Sequence, residues 1–359
     1  MPNSRLLPQA MTRIMTRIMT RALFQAMFLV LLAFCVLASA PLKAAEIRLS
    51  LPPDPNALPV FVLMEKQDEF LPDDQLKLVA NPAGDPSAMR AMIAAQRMDF
   101  AMFNLVGGTR FIQGGLEELH LVRPWVWRGI YLLTPAGTDD LAVLDDRIVL
   151  VAPGVSTPPH ILTQKALAQD GIHPRFVSGG AGAVLFSRLR DPKKAPAAVA
   201  APEPMVSLIE HRQQAQDWEQ RWQIALDPTE ALGGDIPLGA LWQVGNDVDP
   251  ALRQRLVKGL TRAAEWTQNP ANHEEAARIA AEGYQHTFRM PIPPQALEDL
   301  LREQRVVWQT DDDEHRARIE QYLSDVFGIA VPAGLYLEAA ENEASSTDAS
   351  PGETSRTDD

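Results

Sequence analysis

The sequence predicts an α/β protein with two domains of parallel-rich sheets flanked by helices, preceded by an export segment. Through residues 46–230, short apolar strand signals alternate with helical segments, an order typical of parallel sheets wound with helices. The alternation starts again near residue 141, which indicates a second domain. Residues 1–45 differ from the rest in charge and hydropathy, as a targeting segment does.

The first 45 residues contain the three parts of a secretory signal peptide. Three arginines between residues 13 and 21 precede an unbroken apolar run over 26–38, and Ala38-Ser39-Ala40 matches an A-x-A cleavage pattern. The run is shorter than the about 20 residues that a membrane-spanning helix needs. We therefore expect residues 1–45 to be a cleavable signal peptide and the mature protein to be periplasmic, with an uncleaved anchor as the alternative.

The composition limits the partners and cofactors of the mature chain. The 359 residues include 33 bases and 46 acids, and because five of the bases lie in residues 1–45, the remainder keeps 28 bases against all 46 acids. Such a surface repels nucleic acid and anionic membranes. The only cysteine, Cys35, lies in the signal segment. A disulfide framework and thiolate metal sites are therefore excluded, and we expect no cofactor and no metal.

The first domain begins with five strand signals and two helices. Strands are expected at 47–51, 76–80, 100–103, 119–123 and 130–133. Helices are expected at 58–66, after a turn that contains proline and asparagine, and at 86–95, where Asp85 is placed to cap the first turn.

The second domain, at residues 141–229, repeats the pattern. Its expected elements are strands at 147–152, 175–178 and 197–201 and helices at 158–169 and 183–188. Residues 250–326 are expected to be mostly helical, with amphipathic stretches at 252–267 and 274–283. Residues 338–359 hold seven acids and one base and have little to bury, so we expect a disordered acidic tail.

Four short motifs carry a resemblance to a known family. They are LPVF at 58–61 ahead of a Glu-Lys pair, RMDFA at 97–101, LVAPG at 150–154 ahead of a Ser-Thr-Pro helix start, and APEP at 201–204. Their order and spacing resemble the nitrate/sulfonate/taurine-type substrate-binding proteins of ABC importers. The resemblance extends over about residues 46–230 and is weaker in the helical C-terminal third.

This resemblance implies a two-lobed periplasmic binding protein of type II, with a ligand cleft between the lobes. Lobe one would contain residues 46–140 and 230–335, and lobe two residues 141–229. The protein would be a monomer without enzymatic activity that captures a small-molecule ligand and delivers it to an ABC permease in the inner membrane.

The ligand of an open α/β sheet lies beyond the carboxyl ends of the strands. The loops that qualify contain the candidate ligand-binding residues Asn56, Asp85, Asn104, Trp125, Ser156, Thr157, Gly180 and Glu203. Ser156 and Thr157 precede a helix that starts with proline, where their hydroxyls can cap free backbone N–H groups. The same N–H groups favour an anion, so capping alone and ligand binding both stay open.

Three of the remaining candidates, Asn104, Trp125 and Glu203, also allow two interpretations each. The Asn104 amide can bind a ligand or its own backbone. Trp125 can form an apolar wall for the ligand or pack in the core. Gly180 would let a ligand approach backbone amides. Glu203 can accept from a cationic ligand group or complement the helix that follows it.

The same residues allow two other functions. A non-catalytic ligand-sensing module would share the fold and the cleft. An enzyme of the thiamine-pyrimidine synthase type would also share the fold, but that branch uses a cysteine-rich iron motif and the mature chain has no cysteine. The sequence also contains no G-x-S-x-G, no P-loop and no H-E-x-x-H motif. We therefore expect a binding protein and not an enzyme.

Overall fold

The structure is a computed structural model that describes residues 45–80, 86–180, 182–234, 236–311, 313 and 315–337. The expected signal peptide up to residue 44, the candidate Asp85 and the expected tail at 338–359 lie outside these residues. Within the described part, the chain forms two five-stranded sheets with helices packed around them.

The first sheet has the strand order β2-β1-β3-β10-β4. Its strands are β1 (Ala45–Leu51), β2 (Asp74–Ala80), β3 (Phe100–Asn104), β4 (Leu119–Val126) and β10 (Gly239–Val244). Strand β10 runs antiparallel to both of its neighbours, and the other four strands share one direction. Every residue of β10 is buried, as expected for a strand inside a sheet with both faces covered.

The second sheet has the matching order β7-β6-β8-β5-β9. Its strands are β5 (Ile130–Pro135), β6 (Ile148–Val151), β7 (Arg175–Ser178), β8 (Ala198–Pro202) and β9 (Trp222–Leu226). Strand β5 is the reversed one here. In each sheet the reversed strand is the first one that the chain enters after leaving the other sheet. The expected two-lobed α/β fold with parallel-rich sheets is confirmed.

The change of sheet does not coincide with the expected boundary at residue 140. Strand β5 pairs with β8 and β9, so the first crossing consists of residues 127–129. The chain returns through residues 227–238. The sequence does not mark the first crossing, because three residues separate two apolar strands that look alike in composition.

Helices cover the sheets. Their bounds are α1 (Leu58–Glu65), α2 (Gln67–Phe70), α3 (Pro86–Ala94), α4 (Leu105–Gln113), α5 (Pro158–Gln169), α6 (Gly182–Leu189), α7 (Met205–Ala215), α8 (Pro228–Ala231), α9 (Pro250–Gln268), α10 (His273–Phe288), α11 (Pro294–Arg302) and α12 (Arg316–Gln321). Short 3-10 turns occur at Pro55–Ala57, Leu141–Leu144 and Pro270–Asn272, and a π turn at Tyr322–Val326. In the described part of the chain, no helix has the length and apolarity to cross a bilayer.

The LPVF motif forms the first turn of α1, and its side chains are core residues. Leu58, Val60 and Phe61 are all less than 5% exposed. The Phe61 ring packs edge-on against Tyr284 at 5.3 Å. A Cβ on Gly283 would lie 2.3 Å from that ring, so the glycine lets α10 approach α1 closely. This motif is therefore explained by packing.

The chain just before the acidic tail docks onto the edge strand β4. The Leu121 amide donates to the Leu335 carbonyl at 2.7 Å, Tyr336 forms a parallel bridge with Leu121, and Leu335 is 1% exposed.

We predict that a chain ending at Leu337 keeps its melting temperature, because all these contacts remain. A chain ending at Ala333 loses them and should melt about 3 °C or more lower. Differential scanning calorimetry of both truncations checks this; a lower melting temperature for the longer one would show that residues 338–359 also dock.

Candidate functional site

Three aromatic side chains hold the loop at residues 54–56, which follows β1 at the carboxyl edge of the first sheet. Each donates a hydrogen bond to one of three consecutive backbone carbonyls. The pairs are the Tyr284 hydroxyl with Asp54 (2.7 Å), Trp308 Nε1–H with Pro55 (3.0 Å) and Trp125 Nε1–H with Asn56 (3.3 Å). The loop is therefore fixed in place by side chains that come from three distant parts of the chain.

Asn56, Asn104 and Trp125 come together around Gly239, the first residue of β10. Gly239 is paired with Asn104 on β3, and a Cβ on Gly239 would lie 2.3 Å from Asn56 Oδ1. Trp125 is fully buried in this conformation, and its contact with the loop is the hydrogen bond to the Asn56 carbonyl. Its contact with a ligand stays a prediction.

Inside the loop, Asn56 is bound to Asp54 and keeps one atom free. The Asn56 amide N–H and its Nδ2 both donate to Asp54 Oδ1, at 2.9 and 2.7 Å. Asn56 is 3% exposed, and its Oδ1 has no hydrogen-bond partner among the described residues. Burial raises the pKa of Asp54 to about 7, although the hydrogen bonds from Asn56 lower it.

Asn104 caps the next helix. Its Oδ1 accepts from the Gly107 amide at 2.7 Å, which satisfies one of the free donors at the start of α4. The side chain is exposed at the same edge of the sheet. The expected backbone contact is present, and binding of a ligand by this amide stays a prediction.

Ser156 and Thr157 lie at the carboxyl edge of the second sheet, but the capping expected of their hydroxyls is absent. The Thr157 hydroxyl donates to the Gly154 carbonyl, and the Ser156 amide donates to His160 Nδ1 at 3.1 Å. Ser156 has a φ of +66°, so the chain turns here in the left-handed region. Capping was therefore the wrong expectation. A direct role for these hydroxyls in ligand binding stays a prediction.

Gly180 follows β7 at the same edge of the second sheet. It has a φ of +71°, a conformation that favours glycine, and a Cβ would meet no atom within 4 Å. A ligand would therefore have room beside this backbone. Binding of a ligand here stays a prediction.

Glu203 follows β8 and is 1% exposed. Its Oε2 accepts from the Ser207 amide at 3.1 Å and from the Ser207 hydroxyl at 2.8 Å, so it complements the start of α7. Its Oε1 lies 3.6 Å from Nη1 of Arg305. The backbone amide of Glu203 donates to the Gly129 carbonyl, which places the carboxylate beside the first crossing.

Arg305 joins the helical C-terminal third to the second sheet. Its side chain is 7% exposed and contacts the carboxylates of Glu203, Glu210 and Glu303. Burial raises the pKa of Glu203 to about 7 although Arg305 lowers it, and burial also raises the pKa of Glu210. One buried cation thus lies among three carboxylates, beside the first crossing.

These shifts predict a pH dependence of stability. The folded pKa of Glu203 and of Asp54 lies above the unfolded value of about 4, so between about pH 4 and 7 the folded protein binds more protons. Stability due to these groups is present at low pH and is lost as the pH rises through 7. Burial lowers the pKa of His160, which acts in the opposite sense.

We expect the Glu203→Gln variant to lose less stability than the wild type between pH 5.5 and 8, as measured by urea unfolding; an equal loss would contradict the shift.

A hollow of about 640 Å³ lies elsewhere, against the edge strand β2. Its lining includes Glu46 and Lys77, which form an exposed ion pair at 3.3 Å. None of its lining residues belongs to the loops at residues 54–56 and 104–107. We do not assign it to the site.

Sequence reasoning missed several residues of this site. Asp54 lies in a loop that was expected to face the ligand, but only Asn56 was selected from it. Tyr284, Trp308 and Arg305 lie in the C-terminal third, which was interpreted only as helical. Asp54, Pro55 and Glu203, the partners that these three residues have in the site, are more than 100 positions away, so local spacing carries no signal for these contacts.

The fold is similar to that of solved binding proteins. The ligand-binding component of an ABC-type import system from Staphylococcus aureus, solved with zinc bound, is 14% identical with a TM-score of 0.60; the match covers 82% of this chain and 96% of that one. The periplasmic aliphatic sulphonate binding protein SsuA from Escherichia coli is 14% identical with a TM-score of 0.59, covering 80% and 93%.

A third similar structure is the alkanesulfonate-binding protein SsuA from Xanthomonas axonopodis pv. citri bound to MOPS. It is 17% identical with a TM-score of 0.54, and the match covers 81% of this chain and 96% of that one. No protein-family model matches the sequence, and neither does any curated protein. The similarity to these solved structures shows that the chain has the two-lobed fold of the periplasmic substrate-binding proteins of ABC importers.

Proposed function

We propose that the protein is a periplasmic solute-binding protein that captures a small molecule between its lobes and delivers it to an ABC import permease. The observation that carries this proposal is the held loop at residues 54–56, which places a buried, unpartnered polar atom at the carboxyl edge of the first sheet. Similarity to ABC import binding proteins over about four fifths of the chain supports the same role.

The two crossings suggest where the lobes are joined. We place residues 45–126 and 239–337 in the first lobe and residues 130–226 in the second. Gly129 in the first crossing has a φ of +136°, and Gly233 and Gly234 in the second have φ values of +103° and +76°. Glycine absorbs backbone rotation at such points, so these segments suit a hinge.

Capture then follows from differential binding. A solute held by Asn56 and Asn104 on the first lobe, and by Ser156, Thr157 and Gly180 on the second, makes all its contacts only when the lobes are closed. It shifts the open–closed equilibrium by the difference between its affinities for the two forms. Asp85, which follows β2 in the sequence, stays a candidate for the first group.

Mass spectrometry of small molecules released from the purified full-length protein tests this function. We expect one solute to be enriched, to rebind the stripped protein in calorimetric titration, and not to be imported by cells that lack the gene. If no solute is released and none rebinds, the proposal is wrong. A solute that binds but is imported normally would favour the sensing module.

Export gives a separate prediction. Because residues 1–45 have the form of a signal peptide, we expect the mature protein to begin between Pro41 and Glu46 and to be released with the periplasmic fraction. Intact-mass measurement of the protein from that fraction checks the cleavage. A mass that retains residues 22–40 would contradict it.

A further inference from the structure

The loops at the carboxyl ends of the strands are poor in positive charge. Among their described residues, Arg128 is the one base, and its Nε lies 3.6 Å from Asp227. The acids are Asp54, Glu203 and Asp227 itself. The loop at 81–85 has no base in its sequence and adds one acid. Arg128, the base that could pair with an anionic ligand, is therefore already paired with a carboxylate.

Two more guanidinium groups lie beside the first crossing, and both are engaged. Arg305 contacts three glutamates. The Arg318 guanidinium lies over the Trp127 ring, 6.0 Å from its centroid. Both guanidinium groups therefore already have partners within the protein.

The helix starts at the same edges also offer few amide donors. The Gly107 amide donates to Asn104, the Ser207 amide to Glu203, and the Thr229 amide to Asp227 at 2.8 Å. Helix α5 begins with two prolines, which have no N–H. At these four helix starts, three of the backbone donors that could bind a sulfonate or nitrate are used by side chains, and two are replaced by prolines.

What the loop at residues 54–56 does offer is an acceptor. Its three backbone carbonyls are taken by aromatic donors, and the Nδ2 of Asn56 is directed to Asp54, which fixes Oδ1 as the free atom. This oxygen is buried without a partner among the described residues, and it packs so closely against Gly239 that a Cβ there would lie 2.3 Å from it. A buried acceptor of this kind gains most from a ligand that donates a hydrogen bond.

A metal ion does not fit these observations. Among the described residues, no group of three His, Cys, Asp or Glu side chains could hold one. Building on the proposed function, we infer that the solute is organic and presents N–H or O–H donors, as an ammonium or a neutral amide does, and that it is not an anion. Asn56 Oδ1 accepts its donor, and the neighbouring Asp54 favours a positive charge when it is ionised.

A matched series of probes tests this inference. Butylammonium, butanamide, butanesulfonate and butanoate share one apolar body and differ in the head group. At millimolar concentration we expect butylammonium or butanamide to raise the melting temperature of the stripped full-length protein by about 2 °C or more, and the two anions not to. A zinc chloride arm should also give no rise. Stabilisation by an anion or by zinc, or by none of the probes, overturns the inference.

Variants locate the effect. Asn56→Leu keeps the volume and removes the acceptor, and we expect about tenfold weaker binding of the effective probe. Asn246→Ala changes an exposed asparagine at the opposite edge of the same sheet and serves as the matched control. Arg128→Gln should keep the affinity within about twofold. An anion site would instead lose affinity with Arg128→Gln and keep it with Asn56→Leu.

The outcome separates this inference from the proposed function. If the solute released from the protein is an anion and still closes the lobes, the function holds and the inference is wrong. If a donor-bearing probe binds but no closure follows, the inference about Asn56 holds and the mechanism of capture is wrong.

Discussion

Replacing Arg305 by methionine is expected to destabilise the folded protein by about 3–5 kcal/mol, because it leaves buried acids without their cation. The Arg305 side chain is 7% exposed, and that of Glu203 is not exposed at all. Glu203 has a folded pKa of about 7. In the variant, its carboxylate is therefore charged and without a cation above neutral pH, and it is protonated below neutral pH. The loss should therefore be larger at pH 8 than at pH 5.5.

Arg302→Met is the matched control for this experiment. Arg302 lies on the same segment, and its side chain is 57% exposed in pairs with Glu298 and Asp299. Exposed pairs contribute about 0–1 kcal/mol, so this variant should unfold close to the wild type. Urea unfolding of both variants, and of Arg305→Met combined with Glu203→Gln, decides the matter. Equal losses for Arg302→Met and Arg305→Met would contradict the buried cluster.

Replacing Trp308 should change both stability and solute binding. Trp308 is 1% exposed, so Trp308→Ala removes a large core side chain at a cost of about 3–5 kcal/mol. Trp308→Phe keeps most of the ring and removes the N–H that donates to Pro55, which leaves a buried carbonyl unpaired at about 1–3 kcal/mol. The loop at residues 54–56 then loses one of its three supports.

The phenylalanine variant separates positioning from packing. If Trp308 positions the loop, Trp308→Phe lowers the affinity for the released solute in calorimetric titration, even under conditions where the protein is fully folded. Trp266→Phe changes a partly buried tryptophan of α9 that contacts Lys66 instead, and should leave the affinity unchanged. Equal affinities for the wild type and Trp308→Phe would show that the indole N–H serves the core alone.

Local signals were sufficient for much of the fold. Helix α5 begins and ends as predicted, because two prolines mark its first turn and the apolar pattern stops at Gln169. Helix α4 was missed, since Gly107 and Gly108 look like a loop. A Cβ on Gly108 would lie 2.1 Å from the Trp242 ring, so this glycine is required by packing that no local pattern reveals.

The candidate site was predictable only in part. The rule that ligands lie beyond strand ends selects Asn56 and Asn104, and the structure brings them together across Gly239. The rule does not say which side chains are already satisfied. The prolines that identified the start of α5 also remove the amides that were expected to attract an anion there. Contacts such as that between Glu203 and Arg305 depend on the tertiary fold.

The most direct test of the account is small-angle X-ray scattering of the full-length mature protein, first stripped and then saturated with the solute it releases. We predict a smaller radius of gyration in the bound state, since solute held by both sheet edges stabilises the closed form. The Ser156→Ala/Thr157→Ala variant should bind more weakly and show less compaction at the same solute concentration. An unchanged radius of gyration on saturation of the wild type would contradict capture between the lobes.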